Sequence, residues 1–189
     1  MNETIDDKIY DLKFYLQRSI RYHMRRAAFF MKWQRVTSFI GVVFGSAAVA
    51  TFIGEVPEQI TAVFALMVTV ASALDLVVGT GQSAWLHNDL RKRFLELEGI
   101  IASRAADIEL IADINHQIRR IEADEPPARE ILNLLVRNDT IRASLPDEQA
   151  NKEVIDICWI KRVTANLIDW DTAHMVRRGS QAAEKDIPA

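Results

Sequence analysis

The chain has 189 residues, of which 26% are charged, with a formal net charge of −3 and a mean hydropathy of −0.01. This length allows one modest domain or a membrane hairpin with a helical appendage, and the hydropathy fits a protein that is part membrane and part soluble. The acidic balance argues against nucleic-acid binding, which usually needs a basic face. The one cysteine, Cys158, cannot form an internal disulfide, so we expect a small buried side chain in a reducing compartment.

Residues 1–35 are predicted to form an amphipathic cytoplasmic helix. The apolar residues recur at spacings of three and four, which places them on one stripe: Ile5, Ile9, Leu12, Leu16 and Ile20. The opening MNETIDDKIYDLK lacks the basic and then apolar layout of a cleavable signal. Membrane targeting is therefore expected to come from internal segments.

Basic and aromatic side chains alternate at the end of this helix, in the stretch RYHMRRAAFFMKWQR. The headgroup region of an anionic leaflet favours this mixture, because rings lie at the interface and cations meet lipid phosphate. A solvated helical face is the alternative. The basic residues that we predict to be juxtamembrane are Arg21, His23, Arg25, Arg26, Lys32 and Arg35.

Two apolar runs, 36–53 and 60–78, predict a transmembrane helical hairpin over residues 36–79. The first run carries no charge and would be about 27 Å long as a helix, close to the roughly 30 Å hydrocarbon core of a bilayer. The polar connector contains Pro57, whose ring favours the start of a helix. No Lys or Arg occurs between Arg35 and Arg91. The alternative is a soluble bundle that buries this hairpin.

The flanking charges predict the orientation of the hairpin. Five Lys or Arg residues lie in 21–35, and three more follow the second run at 91–93, whereas the connector carries only Glu55 and Glu58. By the positive-inside rule both termini face the cytoplasm.

Both predicted spans carry a face of small or polar residues. In the first span, Gly41 and Gly45 form a GxxxG pair on a face that includes Ser38 and Ala48. In lipid, such faces allow helix backbones to approach closely. The two faces either close the hairpin alone or also meet other copies of the chain and line an oligomeric pore. The matching stripe in the second span is Thr61, Ala65, Val68, Ser72, Asp75 and Gly79.

Asp75 is the charged residue of the second span. A carboxylate within a membrane is costly, so it normally faces water or protein and marks a functional site. It lies about 22 Å along the helix from Ile60, towards the cytoplasmic end. We therefore predict either a role in conduction or gating, together with Thr61 and Ser72, or a structural ion pair or hydrated helix end.

Residues 80–125 are predicted to form one long cytoplasmic stalk helix, because apolar residues follow a coiled-coil-like spacing with lapses at Arg104 and Asn115. The stalk could pair within the chain or between chains. Pro126 and Pro127 end it. The apolar residues of this seam are Leu90, Phe94, Leu97, Ile101, Ile108, Ile111 and Ile118.

A carboxy-terminal helical pair is predicted over 126–179, with helices at about 128–144 and 151–178 and Gly179 as the stop. Residues 180–189 are expected to form a flexible tail. No segment alternates with period two for long enough to predict a strand.

The chain lacks the usual signs of catalysis. It has no phosphate-binding glycine loop and no nucleophile elbow, and its four histidines are scattered. Glu109, Asp113 and His116 share one helical face, but charged residues on a solvated helix do so by chance. We therefore expect no enzyme activity, no cofactor and no metal site.

The order of these segments resembles the SLATT family of bacterial two-span membrane proteins. The resemblance extends from Tyr10 to about Arg178, and the segment AREILNLLVRNDTIRASL is similar to the helix that follows the family's stalk. It implies a pore-forming effector in the inner membrane, activated in an anti-phage conflict system in which a separate enzyme makes a nucleotide signal. Its motif residues here would be Arg21, His23 and Arg26.

Together these features predict an all-α protein with two transmembrane helices, both termini in the cytoplasm and a cytoplasmic helical bundle. The predicted function is that of a homo-oligomeric pore-forming effector that permeabilises the membrane. The predicted partners are membrane lipid, other copies of the chain and a separate signal-generating or sensor protein, without nucleic acid. The alternative function is a membrane-anchored interaction module that recruits a cytoplasmic partner.

Overall fold

The computed structural model describes residues 4–52, 54, 57–175 and 177, without the side chains at 47–52 and 58. Within these residues the chain is all-helical and contains no β-strand, which confirms the all-α part of the predicted fold class. The helices are α1 (Ile5–Phe52), α2 (Glu58–Val78), α3 (Thr80–Ser103), α4 (Ile108–Glu122), α5 (Glu130–Ser144), α6 (Asp147–Glu153) and α7 (Trp159–Thr164).

Helix α1 is a single helix of 48 residues. It includes the predicted amphipathic segment and residues 36–52 of the first apolar run. Thr4 and Asp7 cap its start: the Asp7 N–H donates to Thr4 Oγ1 at 3.2 Å, and the Thr4 N–H donates to Asp7 Oδ2 at 3.0 Å. Hydrogen bonds from Thr4 lower the pKa of the Asp7 carboxyl. No Gly or Pro precedes Gly41, so nothing in the sequence interrupts the helix earlier.

The chain divides into two compact units. The terminal bundle comprises Met1–Met24 and Asp89–Ala189, and the apolar unit comprises Arg25–Asn88. The apolar unit is therefore longer than the predicted 36–79 hairpin at both ends. It includes the aromatic end of the juxtamembrane segment and the first turns of α3.

In the apolar unit, the second half of α1 lies beside α2. The rings of Phe44 and Phe64 have centroids 4.9 Å apart. The first turns of α3 also contact α1, where Phe30 stacks on His87 with ring centroids 5.8 Å apart. Gly79 ends α2 in the left-handed conformation, with φ of 59°, which favours glycine.

The terminal bundle is built on the first part of α1, the rest of α3, and α4 to α7. Its most deeply buried side chains include Leu16 of α1, Leu90 and Phe94 of α3, and Leu110 and Ile114 of α4, all with 0% exposure. Three helices thus contribute to its apolar interior, and burial of these side chains is its main source of stability.

The prediction of one stalk helix over 80–125 was wrong. The chain leaves helical geometry at Arg104, and Asp107 caps a new helix by accepting a hydrogen bond from the Leu110 N–H at 2.6 Å. Helix α4 then runs back along α3, because Arg93 contacts Asp124 at 2.7 Å. The lapse in the apolar pattern at Arg104 marks this reversal.

The reversal also changes which face of α4 is buried. Ile108, predicted to lie in the seam, is 73% exposed, and Ile111 is half-buried. The buried side chains are Leu110, Ile114, Ile118 and Ile121. The two helices form an antiparallel pair within the chain, so a stalk that extends through residue 125 does not exist in this structure.

The prediction of a final helix over 151–178 was also wrong, although the preceding helix ends at Ser144 as predicted. Asn138 binds both backbone groups of Ile155: its Nδ2 donates to the carbonyl oxygen at 2.7 Å, and its Oδ1 accepts from the N–H at 3.0 Å. These bonds hold the chain extended, as β-branched residues favour. Gly179 and the predicted tail, 180–189, lie outside the described residues.

We expect Asn138→Ala to lower the free energy of unfolding of the bundle by about 2–4 kcal/mol, because it leaves two backbone groups of Ile155 without a partner. Thermal unfolding and hydrogen exchange at Ile155 measure the effect. Asn138→Asp, which keeps the acceptor and loses the donor, should give a smaller loss. The control is Asn151→Ala at an exposed position. Equal losses in Asn138→Ala and Asn151→Ala would contradict the role assigned to Asn138.

Candidate functional site

The predicted juxtamembrane residues fall into two environments, and two of them belong to the terminal bundle. Arg21 Nη1 donates to the Asp139 carbonyl oxygen at 2.9 Å. His23 is 1% exposed, and its Nε2 lies 3.1 Å from Glu125 Oε1. Both side chains therefore bind groups of the bundle, His23 in its interior and Arg21 at a half-buried position.

The other four basic residues belong to the apolar unit. The Arg26 guanidinium is buried and lies 4.6 Å from the centroid of the Phe30 ring and 5.8 Å from that of Phe29, which are cation–π distances. Arg25 is half-buried, whereas Lys32 and Arg35 are exposed. Of the six predicted residues, Lys32 and Arg35 are thus the most accessible to a lipid headgroup.

Helix α2 presents an extensive uncovered apolar surface. The helical stretch Gln59–Ser103 contains an 18-residue window of mean hydropathy 2.2, and 0% of that window is buried. By length and composition this helix can cross a membrane. Among the described residues it is the one helix that meets this criterion. Its exposed apolar side chains include Ile60, Val63, Leu66, Val70, Leu74, Leu76 and Val77.

The glycine face of α1 makes no close contact with the described residues of the chain. A Cβ added at Gly41 or Gly45 would meet nothing within 4 Å. Among the described residues, the predicted close approach of backbones at these glycines is therefore not made within one chain. Ala65 of α2 is exposed, and the side chain of Ala48 lies outside the described residues.

The polar residues of α2 lie along one side of the helix. Asp75 is half-buried and accepts a hydrogen bond from the hydroxyl of Thr80, which is 1% exposed. Thr61 is half-buried and Ser72 is exposed. The Gly79 N–H donates to the Asp75 carbonyl oxygen at 2.9 Å. Asp75 and Gly79 thus build the turn between α2 and α3, which is a structural role for both residues.

A polar cluster that sequence reasoning missed lies in the terminal bundle. The His23 ring stacks on Phe94 with a centroid separation of 5.6 Å and an interplanar angle of 12°. The Tyr15 hydroxyl donates to Glu122 Oε1 at 2.5 Å. Tyr15 and His23 are eight residues apart on α1, so they share a face. Their acidic partners, Glu122 and Glu125, became predictable only once α4 was known to reverse.

Arg93 of α3 forms ion pairs close to the same end of α4. Its guanidinium contacts Asp124 at 2.7 Å and Asp89 at 2.9 Å, and the hydrogen bond to Asp124 raises the pKa of Arg93. Glu122, Asp124 and Glu125, which we call the acidic corner, therefore bind side chains from two different helices. This corner joins α1, α3 and the end of α4.

Burial raises the pKa of Tyr15 well above its usual value of 10.0, and the hydrogen bond and charge of Glu122 raise it further. The folded state therefore holds this proton more tightly than the unfolded chain. The resulting contribution to stability is complete below pH 10.0 and is lost as the pH rises through the raised pKa of the folded state.

An exposed apolar patch surrounds α7. Cys158, predicted to be buried, is exposed and directly precedes this helix. Helix α7 has only six residues, and most of its apolar side chains remain uncovered. Trp159 is 71% exposed and Val163 is 70% exposed. The patch, which we call the α7 patch, consists of Trp159, Ile160, Val163, Leu167 and Ile168.

The acidic and histidine residues considered for metal binding are dispersed on the surface of α4. Glu109, Asp113 and His116 are all exposed, and Asp113 contacts Gln117 and Arg104 instead. Across the residues that the structure describes, no group of three or more His, Cys, Asp or Glu side chains is placed to hold a metal ion.

Comparison with protein families, with curated proteins and with solved structures finds no match to this chain. The features that bear on its function are the uncovered surface of α2, the open glycine face and the polar cluster of the bundle.

We expect Glu122→Gln to lower the pKa of Tyr15 towards 10.0 without reaching it, because the carboxylate is lost and burial remains. Alkaline titration followed by tyrosinate absorbance measures the shift. Tyr15→Phe should remove the component that ionises at the highest pH, which identifies that component as Tyr15. Tyr10→Phe is the control at an exposed tyrosine. A titration unchanged by Glu122→Gln would contradict the contact between Tyr15 and Glu122.

Proposed function

We propose that this protein is a membrane effector whose copies assemble into a pore. The observation that carries the proposal is the uncovered apolar surface of α2, in which 0% of the most apolar window is buried. Soluble monomers rarely expose a continuous apolar surface of this extent, so lipid or another protein is needed to cover it. The length of the helix suits a bilayer.

A second span formed by the end of α1 completes the proposed hairpin. Residues 36–53 carry no charge, and the contact between Phe44 and Phe64 supports side-by-side packing of the two helices. The exposed cations Lys32 and Arg35 precede the first span, and basic residues follow the second at 91–93. By the positive-inside rule, this distribution of charge supports the proposal that both termini lie in the cytoplasm.

Association between copies is proposed to use the open faces of the hairpin. Gly41 and Gly45 leave space for the backbone of another helix, because no described atom of the same chain would contact a side chain there. Ala65 and Ser72 offer small exposed side chains on α2. Thr61, Ser72 and Asp75 would then face the path through which ions pass, and Thr80 would hold the Asp75 carboxylate at its cytoplasmic end.

The resemblance to SLATT proteins supplies the biological setting of this proposal. In that setting, a separate bacterial protein detects infection and produces a signal, and a change in the terminal bundle opens the pore in the inner membrane. Arg21 and His23, two of the three motif residues that the resemblance implies, both contact residues of the bundle. Their proposed role is to maintain the bundle structure that responds to the signal.

A membrane-anchored interaction module is the second candidate function. It is favoured by the α7 patch, since an exposed cluster of large apolar side chains often marks a surface that binds protein. In that case the hairpin would only anchor the chain, and the patch would recruit a cytoplasmic partner.

We expect expression of the chain to depolarise bacterial cells and Gly41→Leu/Gly45→Leu to abolish this effect, because leucine side chains block the approach of another copy. A membrane-potential dye and fractionation with and without detergent are the measurements. The hairpin should tolerate this change, since no described side chain occupies the space. The control, Val42→Leu/Ser46→Leu, has the same spacing on exposed positions and should remain active.

Three outcomes of this experiment would separate the alternatives. Loss of activity in both double variants would argue against the glycine face as the site of association. A membrane-bound wild-type chain that leaves the potential intact would favour the anchor. Recovery of the chain without detergent would contradict the membrane hairpin and favour a soluble bundle.

We expect Asp75→Asn to preserve assembly and to reduce the preference of the pore for cations, because a ring of carboxylates attracts cations and the amide still accepts from Thr80. Reversal potentials in planar bilayers measure this preference. Thr80→Val removes the hydroxyl that binds Asp75 at the turn. This variant should leave the cation preference of the pore unchanged. If Asp75→Asn leaves the reversal potential unchanged and Asp75→Leu leaves permeabilisation and toxicity intact, Asp75 does not line the path.

A further inference from the structure

A narrow apolar groove lies between α1 and α2 in the apolar unit, with a volume of about 410 Å³. Its walls are formed by Phe29, Val36 and Ile40 of α1 and by Ala71 and Leu74 of α2. This volume is close to that of a single long acyl chain. All of these residues belong to one compact unit.

One cation lies beside the apolar walls. Lys32 lines the groove and is exposed, and in the described part of the chain its ammonium group forms no ion pair. Trp33 also lines the groove, and because its indole Nε1 is buried, the ring contacts the groove through its apolar atoms.

These groups define the chemistry of the occupant. The exposed cation of Lys32 favours a negatively charged group, and the apolar walls favour a hydrocarbon. Arg35, three residues beyond Lys32 on α1, adds a second exposed cation at a neighbouring position. Ile40 lies about 12 Å from Lys32 along the helix, so the charged and apolar parts of the occupant must be joined in one elongated molecule.

We propose that this groove binds one anionic phospholipid of the cytoplasmic leaflet. Lys32 holds its phosphate, and one acyl chain lies along Ile40 and Ala71. The inference rests on the proposed membrane hairpin, in which Lys32 lies at headgroup level just before the first span and the groove descends into the hydrocarbon. A bound lipid would thus contact both helices of the hairpin at its cytoplasmic end.

Fluorescence of Trp33 tests the site directly, because brominated acyl chains quench a nearby indole. The full chain with Trp85→Phe, Trp159→Phe and Trp170→Phe is reconstituted in phosphatidylcholine vesicles that contain a minor fraction of brominated phosphatidylglycerol or of brominated phosphatidylcholine. We expect brominated phosphatidylglycerol to bind about fivefold more tightly than the neutral lipid. Lys32→Gln should remove this preference, and Lys92→Gln, which lies outside the groove, should retain it.

A second pair of variants tests the apolar part of the site. Ala71→Phe fills the groove and should reduce quenching by brominated phosphatidylglycerol to the level of the neutral lipid. Val70→Phe adds the same ring at a neighbouring position that is 50% exposed and does not line the groove, so it should leave quenching unchanged. If Ala71→Phe disturbs the hairpin, Lys32→Gln still tests the headgroup contact by itself.

The outcomes distinguish this site from the proposed function. Equal quenching by the two brominated lipids in the parent chain, or a preference that survives Lys32→Gln, would overturn the lipid site and leave the membrane hairpin intact. No quenching by either lipid, with the chain absent from the vesicle fraction on flotation, would overturn the hairpin and with it the lipid site.

Discussion

The uninterrupted backbone of α1 is the constraint on which the rest of the structure depends. Over its 48 residues the helix changes from amphipathic to uncharged without a break. The amphipathic part supplies Leu16 to the interior of the terminal bundle, and the uncharged part lies beside α2. Helical hydrogen bonds are satisfied within the chain in both environments, so one element can serve water-exposed and apolar surroundings alike.

The terminal bundle obtains its specificity from a few directional polar contacts. Apolar burial alone is nondirectional and would tolerate several packings of α1 against α3 and α4. The bonds from His23, Tyr15 and Arg93 to the acidic corner select one of them. The contact of His23 has the largest effect, because this side chain is buried and the loss of its partner would be costly. The Asn138 contacts with Ile155 have the same effect at the other end of the bundle, where they replace helix by extended chain.

The apolar unit differs from the bundle in how much of its apolar surface is uncovered. Phe30 stacks on His87 and Phe44 lies beside Phe64, but the glycine face of α1 and most of α2 have no cover among the described residues. A soluble domain would bury this surface, whereas the proposed membrane hairpin needs it exposed to lipid or to other copies. In that proposal, the hydrogen bond from Thr80 lowers the cost of placing the Asp75 carboxylate in a membrane.

The sequence by itself determined the helical class, the continuous amphipathic stripe of α1, the apolar run of α2, the helix breaks at Pro126 and Pro127, and the end of α5. These features follow from local periodicity and from residues whose backbone preferences are strong. Ile155 and Trp159 were wrongly assigned to one helix because local pattern cannot report the distant Asn138 that binds the backbone there. Only the tertiary structure decided that contact.

The tertiary structure also decided the reversal of α4, the burial of His23 and the groove beside Trp33. The apolar spacing through Arg104 is compatible with either a straight helix or a hairpin, since both bury one face. What distinguishes them is the pairing of Arg93 with Asp124, two residues far apart in the chain. Periodicity identifies which side of a helix is apolar, but the partner on that side depends on long-range packing.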